Sequence, residues 1–372
     1  MRGQFSSDEP CRTGFCGPGG EDSRPGAPDY RRVQMTDTIP RKAPFERADE
    51  PTMGTKLPFP VGHRARAASE PSRPRTAFVL SGGGNQGVSQ VGMLRALLEH
   101  GIVPDVVIGT SAGALNGSAV AYAPNLTGVA QLAAVWEQLQ SDHVFPGGRI
   151  HRAWNVVRRG THLFGNEGLA ALIHHSTPAR SFSDLEIPLR VIATDLDTGE
   201  EVVLARGPLK PALLASTALP GVFPIVVHGG RRLVDGGVVN NVPLWHALSG
   251  PVDRVFVLNV SSGAGDHAVR SPLDVVMTSF MHARNQRYEL ERRNAIEHVD
   301  IIDLPRPRDT RDLFDFSGAH ELIEAAYELS MEKLDAYERD VAAAREAALA
   351  TAAADEALVH EQRRRFRLRR GA

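Results

Sequence analysis

Apolar residues in this chain form short continuous runs and one-sided stripes, and these predict strands alternating with helices. The run Thr76–Ser81 is largely apolar and ends in glycines, as expected of a buried strand that leads into a turn. Residues 88–101 predict a helix whose apolar face carries Val91, Leu94, Leu97 and Leu98. A second apolar run, 106–108, is followed by an Ala-rich helical segment. This order predicts βαβ units and an α/β fold with a largely parallel sheet.

The alternation of strands and helices continues along the chain. Further strands are predicted at 189–194, 201–205, 254–260 and around 299–304. Further helices are predicted at 126–140, 208–217, 271–297 and from Gly318 onward. Residues 225–228 and 232–234 flank two glycines and predict a β-hairpin. The stretch 141–182 has no clear period and is interpreted as a lid or an inserted cap.

The first 75 residues differ in composition from the rest. They are rich in proline, carry charges of both signs and show no apolar period, so 1–75 is predicted to be a disordered leader. Met35 and Met53 leave open a later start of translation. Cys11 and Cys16 stand in C-x4-C without a second pair or a nearby histidine, and we assign them no zinc site.

Net charge, cysteine count and the length of the apolar stretches narrow the class of protein. With 42 Lys+Arg and 44 Asp+Glu in 372 residues the formal net charge is -2, which argues against a dedicated nucleic-acid binder. Two cysteines exclude a disulfide scaffold. No apolar stretch approaches the roughly 18 residues of a membrane span, and no secretory signal is visible. We therefore expect a cytoplasmic protein whose contact with any membrane is peripheral.

The C-terminal part consists of an acidic segment followed by a basic one. Acidic residues dominate 318–362, and six arginines then fall within Arg363–Arg370. One interpretation is a solvated helix with a frayed end. The other is a basic anchor for anionic lipid headgroups, in which each charge near the surface contributes about 1 kcal/mol. We treat 336–372 as a C-terminal helix and arginine-rich tail, separate from a domain at 76–335.

Gly109-Thr-Ser111-Ala-Gly113 carries the most chemical information. It fits G-x-S-x-G, the nucleophile elbow, in which a sharp strand-to-helix turn exposes a serine hydroxyl. The following helix N-terminus offers N–H groups and a positive dipole end to a developing oxyanion. The five-residue pattern is weak alone, but here an apolar strand precedes it and a helical run follows.

A glycine-rich loop lies between the first strand and the first helix. Gly82-Gly-Gly84-Asn-Gln-Gly87 matches G-x-G-x-x-G, so dinucleotide binding must be weighed. That fingerprint expects an acidic residue at the end of the next strand, whereas Asp105 precedes the strand. The alternatives are a purely structural turn and an oxyanion hole, in which the N–H groups of Gly83 and Gly84 point into the site.

Asp235-Gly236-Gly237 follows the predicted hairpin and supplies a carboxylate. An Asp before glycines is often only a turn, but a nucleophilic serine needs a partner that takes its proton. A triad would instead use a histidine, and His246, His298 and His320 all follow the acid. Because only one strand precedes the elbow, and the glycine loop belongs to the same βαβ unit, we favour a Ser–Asp dyad.

The ordered motifs resemble those of bacterial patatin-like phospholipases. That family combines a glycine-rich oxyanion loop, G-x-S-x-G and D-G-G/A in this order, and 215–224 and 235–243 also resemble its blocks around the acid. The resemblance covers about 76–335. It implies a three-layer α/β/α fold with a mainly parallel central sheet, and hydrolysis of fatty-acyl esters of phospholipids or lysophospholipids without a metal or organic cofactor.

The resemblance also implies roles for particular residues. Ser111 is the nucleophile and Asp235 the proton acceptor, with Gly109 and Gly113 in the elbow and Gly236 and Gly237 after the acid. The oxyanion loop comprises Gly82, Gly83, Gly84, Asn85 and Gly87. One departure is Gln86, which stands where the family usually has Arg or Lys, and this leaves substrate preference and catalytic rate open.

Weaker candidates and other classes of function remain. We interpret His174-His175 as surface or lid residues and Asp195 and Asp197 as a strand-end turn. A generic carboxylesterase or thioesterase on soluble acyl esters, and a catalytically idle lipid-binding or scaffold protein, are the alternatives to a lipid acyl hydrolase. Oligomeric state, chain-length preference and physiological role are not encoded in these patterns.

Overall fold

The computed structural model describes residues 73–144, 161–261, 272–295, 299–308 and 315–370. Residues 1–72 of the predicted leader, with both cysteines, Met35 and Met53, lie outside the described residues, as do 145–160 of the predicted lid. The last three leader residues are described, and the prediction of disorder up to 75 is wrong there, because Arg73 pairs with Asp105 and Arg75 with Asp253. The strands are β1 Thr76–Leu80, β2 Val106–Thr110, β3 Leu189–Asp195, β4 Glu201–Leu204, β5 Val226–His228, β6 Arg231–Asp235, β7 Arg254–Leu258 and β8 Asp300–Asp303. Each predicted strand is confirmed to within two residues at either end.

Helices form at each of the predicted positions and at three that were not predicted, Ser141–Val144, Glu167–Ser176 and Leu244–Leu248. The helices are α1 Ser89–Glu99, α2 Ala112–Tyr122, α3 Leu126–Gln138, α4 Ser141–Val144, α5 Glu167–Ser176, α6 Leu209–Ser216, α7 Leu244–Leu248, α8 Pro272–Arg293 and α9 Ala319–Arg370. Short 3-10 turns lie at Gly84–Val88, Phe182–Asp184 and Gly236–Val238. No helix within the described ranges is long and apolar enough to cross a membrane.

The central sheet is mostly parallel, as predicted. Strands β3, β2, β1, β7 and β8 run parallel in this order, with β1 in the middle. Among the described strands, the antiparallel pairs lie at the β3 end of the sheet. There β4 and β6 each pair with β3, and β5 pairs with β6. The predicted hairpin is the β5–β6 pair, and its turn residues Gly229 and Gly230 both have positive φ.

Two strands share one edge of β3 and meet end to end. On this edge β2 pairs with Leu189–Ile192, and β6 pairs antiparallel with Ala193–Asp195. The opposite edge of the same stretch is occupied by β4. Because β2 and β6 run towards each other, their carboxyl ends face one another at the Ile192–Ala193 junction. The residues that follow the two strands in the chain are therefore brought together.

Helices cover both faces of the sheet. Alternate residues of a strand point to opposite faces, so Phe78 and Leu80 contact one layer while Ala77 and Val79 contact the other. The first layer is built from α1, α2, α3, α5, α6 and α9. The second contains α7 and α8, whose Tyr288 is buried there. The expectation of an α/β/α arrangement with a mainly parallel sheet is confirmed.

The start of α9 packs closely against α1. A side chain at Gly92 would meet the Ile323 carbonyl oxygen at 2.1 Å, so only glycine allows the two helices this approach. Arg95 holds Glu324 with two hydrogen bonds of 2.7 and 2.8 Å. From 338 to 355 every residue of α9 is exposed. The helix continues without a break across position 336, the predicted boundary of the tail.

Candidate active site

Ser111 lies at the sharp turn between β2 and α2. Its φ of 53° and ψ of -123° make it the one non-glycine residue with positive φ among those the structure describes. Such a backbone costs an L-residue free energy and is held only where the surroundings fix it. Gly109 and Gly113 permit the turn, because a Cβ on Gly113 would meet the Leu80 carbonyl oxygen at 2.3 Å and one on Gly109 the Gly113 carbonyl oxygen at 2.5 Å.

The backbone of this turn is fixed by Ser216 at the end of α6. The Ser111 N–H donates to Ser216 Oγ at 2.9 Å, and Ser216 Oγ donates to the Ile192 carbonyl at 2.6 Å. The fully buried Ser216 therefore ties the elbow to β3, next to the junction of β2 and β6. The sequence placed Ser216 in a family-like block but gave it no role.

The Ser111 hydroxyl is directed at the end of β6. Its Oγ donates to Asp235 Oδ2 at 2.6 Å, a short bond of the kind formed when a hydroxyl meets a carboxylate. The other oxygen, Oδ1, accepts the Gly237 N–H at 2.7 Å. Gly236 is needed here, since a Cβ at that position would meet the Ile192 carbonyl oxygen at 2.3 Å. The two predicted residues, 124 positions apart in sequence, are in contact.

Burial makes Asp235 a stronger base than an exposed aspartate. The side chain is 3% exposed, and this desolvation raises the pKa of its carboxyl above the ordinary value. The hydrogen bonds from Ser111 and Gly237 and the charge of Arg284 act in the opposite direction but do not cancel the effect on the pKa. A raised pKa brings the carboxylate closer to the range in which it can accept a proton from a hydroxyl.

The glycine-rich loop lies directly beside the serine. A Cβ on Gly82 would stand 3.1 Å from Ser111 Cβ and 2.6 Å from Asn241 Oδ1, so the loop can approach only without side chains. The Gly82 N–H is already used, since it donates to the Asn241 carbonyl at 3.1 Å. Gly84 has a positive φ of 59°. The loop therefore offers the N–H groups of Gly83 and Gly84, rather than that of Gly82, as candidate oxyanion donors.

A buried polar network supports the loop from behind. Asn116 Nδ2 donates to the Gly87 carbonyl and to Gln90 Oε1, both at 2.8 Å, while its Oδ1 accepts from Trp136 Nε1 at 2.9 Å. Gln90 Nε2 donates in turn to the carbonyls of Ser81 and Leu258. The network thus joins α2 and α3 to the ends of β1 and β7, where the loop begins.

The remaining loop residues point away from bulk solvent. Asn85 is buried and its Nδ2 donates to the Asp315 carbonyl at 2.7 Å. Gln86, which occupies the position of the usual cation, is 4% exposed. A Cβ at Gly87 would meet Ala112 Cβ at 2.7 Å, so this glycine serves the packing of the loop on α2.

The histidines considered for a triad have other partners. His246 Nε2 contacts Glu201, and His320 Nδ1 contacts Glu137 at 2.9 Å. His298 lies outside the described residues. The arrangement at Ser111 therefore favours a dyad with Asp235 over a triad that includes His246 or His320.

The weaker candidates, Asp195, Asp197, His174 and His175, lie in a strand-end turn and on the surface, as predicted. Asp195 Oδ1 accepts the N–H of Asp197 at 2.9 Å, which makes the predicted strand-end turn. His174 and His175 are exposed on α5, and His175 lines a cavity of about 500 Å³ between α3, α4 and α5. Over the part of the chain described, no group of three or more His, Cys, Asp and Glu side chains is placed to hold a metal ion.

Sequence reasoning missed a cation at the site. The cation is Arg284, on α8. A Cβ placed on Gly237 would lie 3.2 Å from Arg284 Nη1 and 3.0 Å from Asp235 Oδ1, so the guanidinium and the carboxylate lie on the same side of Gly237. Burial lowers the pKa of Arg284, and the charge of Asp235 opposes this shift. The sequence of 271–297 predicts only a helix. No local pattern distinguishes Arg284 from the other arginines of that helix.

Comparison with known proteins gives the same class as the site. Residues 78–248 match the family model of patatin-like phospholipases. An uncharacterised NTE family protein of Mycobacterium tuberculosis is 33% identical over 171 residues, 45% of this chain and 27% of that protein. Patatin-like phospholipase domain-containing protein 7 of Rattus norvegicus is 32% identical over 188 residues, 50% of this chain and 14% of that protein. The aligned part thus spans less than a third of either relative.

Solved structures resemble the chain more remotely. VipD from Legionella pneumophila is 15% identical with a TM-score of 0.40, covering 71% of this chain and 67% of that one. Human GIVD cytosolic phospholipase A2 in complex with methyl gamma-linolenyl fluorophosphonate is 14% identical with a TM-score of 0.38, covering 72% and 58%.

The fold and site define a serine-centred α/β domain of the hydrolase type. More particularly, residues 78–248 are similar to the patatin-like phospholipase family, and the curated relatives belong to the NTE and patatin-like phospholipase families.

Proposed function

We propose that the protein is a serine lipid acyl hydrolase that cleaves fatty-acyl esters of phospholipids or lysophospholipids with a Ser111–Asp235 dyad. The observation that carries this proposal is the 2.6 Å hydrogen bond from Ser111 Oγ to Asp235 Oδ2 at a strained strand-to-helix turn. A nucleophile bonded to its base, beside a glycine loop whose N–H groups are candidate oxyanion donors, is the arrangement that acyl transfer requires.

Acylation begins with attack of Ser111 Oγ on the acyl carbonyl carbon. The hydroxyl proton passes to Asp235 Oδ2, and a tetrahedral oxyanion forms on the former carbonyl oxygen. When this intermediate collapses, the bond to the alcohol oxygen breaks and Asp235 returns the proton to that oxygen. The lysolipid or glycerol-containing alcohol leaves, and the acyl group remains as an ester on Ser111.

Deacylation repeats the same proton transfers with water. Asp235 accepts a proton from a water molecule as its oxygen attacks the acyl carbon, and a second oxyanion forms. Collapse breaks the bond to Ser111 Oγ, which recovers its proton from Asp235. The fatty acid is released and both residues return to their starting states.

The N–H groups of Gly83 and Gly84 are proposed to bind the oxyanion, with Asn85 holding the loop through Asp315. Each preorganised donor of this kind contributes about 3–4 kcal/mol to transition-state stabilisation. The first turn of α2 adds the positive end of a helix dipole behind the serine. No residue of this scheme requires a metal or an organic cofactor.

A lipid substrate is supported by the patatin-like phospholipase match over 78–248 and by the character of the tail. The arginines of Arg363–Arg370 lie at the end of α9, a helix whose residues 338–355 are exposed. We propose that this end makes peripheral contact with anionic membrane surfaces, where Phe366 and Leu368 can add apolar insertion.

The test combines active-site labelling with lipid hydrolysis. Wild-type protein is treated with a fluorophosphonate probe and assayed on phospholipid vesicles, lysophospholipid and a series of soluble esters of increasing chain length. Ser111→Ala and Asp235→Asn are each expected to abolish hydrolysis, and Ser111→Ala to abolish labelling. Ser249→Ala, at an exposed serine, serves as the matched control and is expected to react as wild type does.

The outcomes separate the classes of function. Preference for vesicles and long chains supports the lipid hydrolase, whereas activity confined to short soluble esters or thioesters indicates a generic esterase. Failure of folded wild-type protein to react with the probe indicates an idle lipid-binding or scaffold protein. Full activity in folded Ser111→Ala would exclude the proposed mechanism.

A further inference from the structure

The α8 helix is fixed over the turn that follows Asp235. Arg287 Nη1 donates to the Val239 carbonyl at 3.2 Å and lies 3.0 Å from Glu201 Oε2. One turn further along, Glu291 Oε2 accepts the Trp245 N–H at 3.0 Å. Tyr288 is buried against the sheet and its hydroxyl contacts Asp303. These contacts hold one face of α8 against the end of β6.

Arg284 belongs to the same face, three and four residues before Arg287 and Tyr288. Its Nη1 and Asp235 Oδ1 both lie close above the α-carbon of Gly237, 3.2 and 3.0 Å from the point where a Cβ would stand. A side chain at Gly237 would therefore compete with the guanidinium for this space. Glycine at this position gives the cation access to the carboxylate.

The charge of Arg284 acts on the proton acceptor. Within the described ranges, the groups that act on the Asp235 carboxylate are the Ser111 hydroxyl, the Gly237 N–H and Arg284, of which only Arg284 is charged. Burial alone favours the protonated acid and raises the pKa of Asp235. A neighbouring cation opposes this and lowers the pKa of a carboxyl by about 1–3 units.

We propose that Arg284 is a positioning residue that keeps the Asp235 carboxylate ionised in the resting enzyme. The inference rests on the proposed Ser–Asp chemistry and goes beyond it, because it assigns the electrostatic control of the base to a helix outside the three motifs. A neutral Asp235 cannot accept the serine proton, so the cation sets the pH below which the dyad stops working.

The pH dependence of kcat/KM on a short soluble ester tests this directly. In Arg284→Gln the acid limb is expected to move to higher pH by about 1–3 units, since the opposing charge is gone. Arg284→Lys keeps a cation and should recover a large part of that shift. Arg293→Gln removes an exposed arginine from the same helix and should leave the limb at its wild-type position.

A second readout separates positioning from substrate binding. The rate of fluorophosphonate labelling of Ser111 is measured over the same pH range, and its acid limb should move with that of kcat/KM. Arg284→Met fills the space of the aliphatic part of the arginine side chain but carries no charge. It is used in place of Arg284→Gln if Arg284→Gln does not fold. Loss of folding in both neutral variants would assign Arg284 a structural role and overturn the proposal.

The Ser111→Ala and Arg284→Gln variants distinguish an error in the dyad from an error in the role of Arg284. If Ser111→Ala retains activity, the dyad itself is wrong and the role of Arg284 falls with it. If activity requires Ser111 but the acid limb of folded Arg284→Gln coincides with that of wild type, only the role of Arg284 is overturned.

Discussion

Ser216 Oγ bridges the backbone of Ser111 to β3, accepting the Ser111 N–H at 2.9 Å and donating to the Ile192 carbonyl at 2.6 Å. The bridge lies where β2 and β6 meet end to end. It holds a serine whose positive φ is otherwise unfavourable. The position of the nucleophile therefore depends on a hydroxyl from α6 as well as on its own turn.

Replacing Ser216 by alanine should weaken both fold and labelling. The variant leaves the Ser111 N–H and the Ile192 carbonyl without this partner, and a buried group left unsatisfied costs about 1–3 kcal/mol. We expect a loss of this size in the free energy of unfolding, measured with urea. The fluorophosphonate reaction of Ser111 should slow by at least about tenfold, because small misplacement of a nucleophile is costly.

Ser118→Ala provides the comparison for that experiment. Ser118 is equally buried, but its hydroxyl donates to the Leu115 carbonyl of its own helix. The labelling rate should be close to that of wild type. Equal slowing in Ser118→Ala and Ser216→Ala would show that the bridge has no special effect on Ser111.

Gly113→Ala should disrupt the elbow. The added methyl group would lie 2.3 Å from the Leu80 carbonyl oxygen, a backbone atom that cannot move aside without shifting β1. Overpacking of this kind costs about 1–3 kcal/mol or more. Thermal unfolding and probe labelling should both show the loss.

Gly117→Ala, on the same helix, is the matched control. Its methyl group would meet Val107 Cγ1 at 3.0 Å, a side-chain atom that can give way. Alanine is also favoured over glycine within a helix by about 1 kcal/mol. If Gly113→Ala proves as mild as Gly117→Ala, the close approach of α2 to β1 does not require glycine.

Asp235→Asn should stabilise the protein at neutral pH while abolishing activity. The pKa of Asp235 is raised by burial, so the folded state binds its proton more readily than the unfolded state, where the pKa is about 3.9. Above the raised pKa the ionised carboxylate therefore lowers stability. Asparagine carries no such charge, and the melting temperature of the variant should exceed that of wild type.

The pH series gives the sign of this effect. As the pH falls through the raised pKa towards about 3.9, wild-type Asp235 becomes protonated in the folded state and the difference in melting temperature should close. Activity should fall over the upper part of the same window, since the protonated acid cannot act as base. If Asp235→Asn is less stable than wild type at neutral pH, the buried carboxylate charge does not lower the stability of the protein.

Deletion of 363–370 should weaken binding to anionic liposomes. Each arginine near such a surface contributes about 1 kcal/mol, and this attraction is screened by salt. Cosedimentation at low and high salt should therefore show a loss of binding in the deletion, with the remainder less sensitive to salt. Hydrolysis of a soluble ester should be unchanged, because the deleted residues lie beyond the exposed part of α9.

Substituting the same six arginines by glutamine separates charge from length. Binding as weak as in the deletion supports an electrostatic anchor. Unchanged binding in both variants would leave the arginines as a solvated helix end.

Much of the fold was predictable because it is local. The apolar runs at 76–81 and 106–108 and the one-sided face of 88–101 depend on residues close in sequence, and each became the expected strand or helix. The elbow was equally local, since Gly109, Ser111 and Gly113 encode their turn within five residues. The harder stretch, 141–182, forms α4 and α5 at its two ends, and 145–160 is not described.

The sequence by itself determined the strands, the helices and the order of the three motifs, because short-range periodicity and glycine geometry specify them. Only the tertiary structure decided that β2 and β6 meet on one edge of β3, which brings Ser111 to 2.6 Å from Asp235. It also placed Ser216 and Arg284 at the site. These contacts join residues far apart in the chain, and they depend on strand register and helix packing that no local pattern encodes.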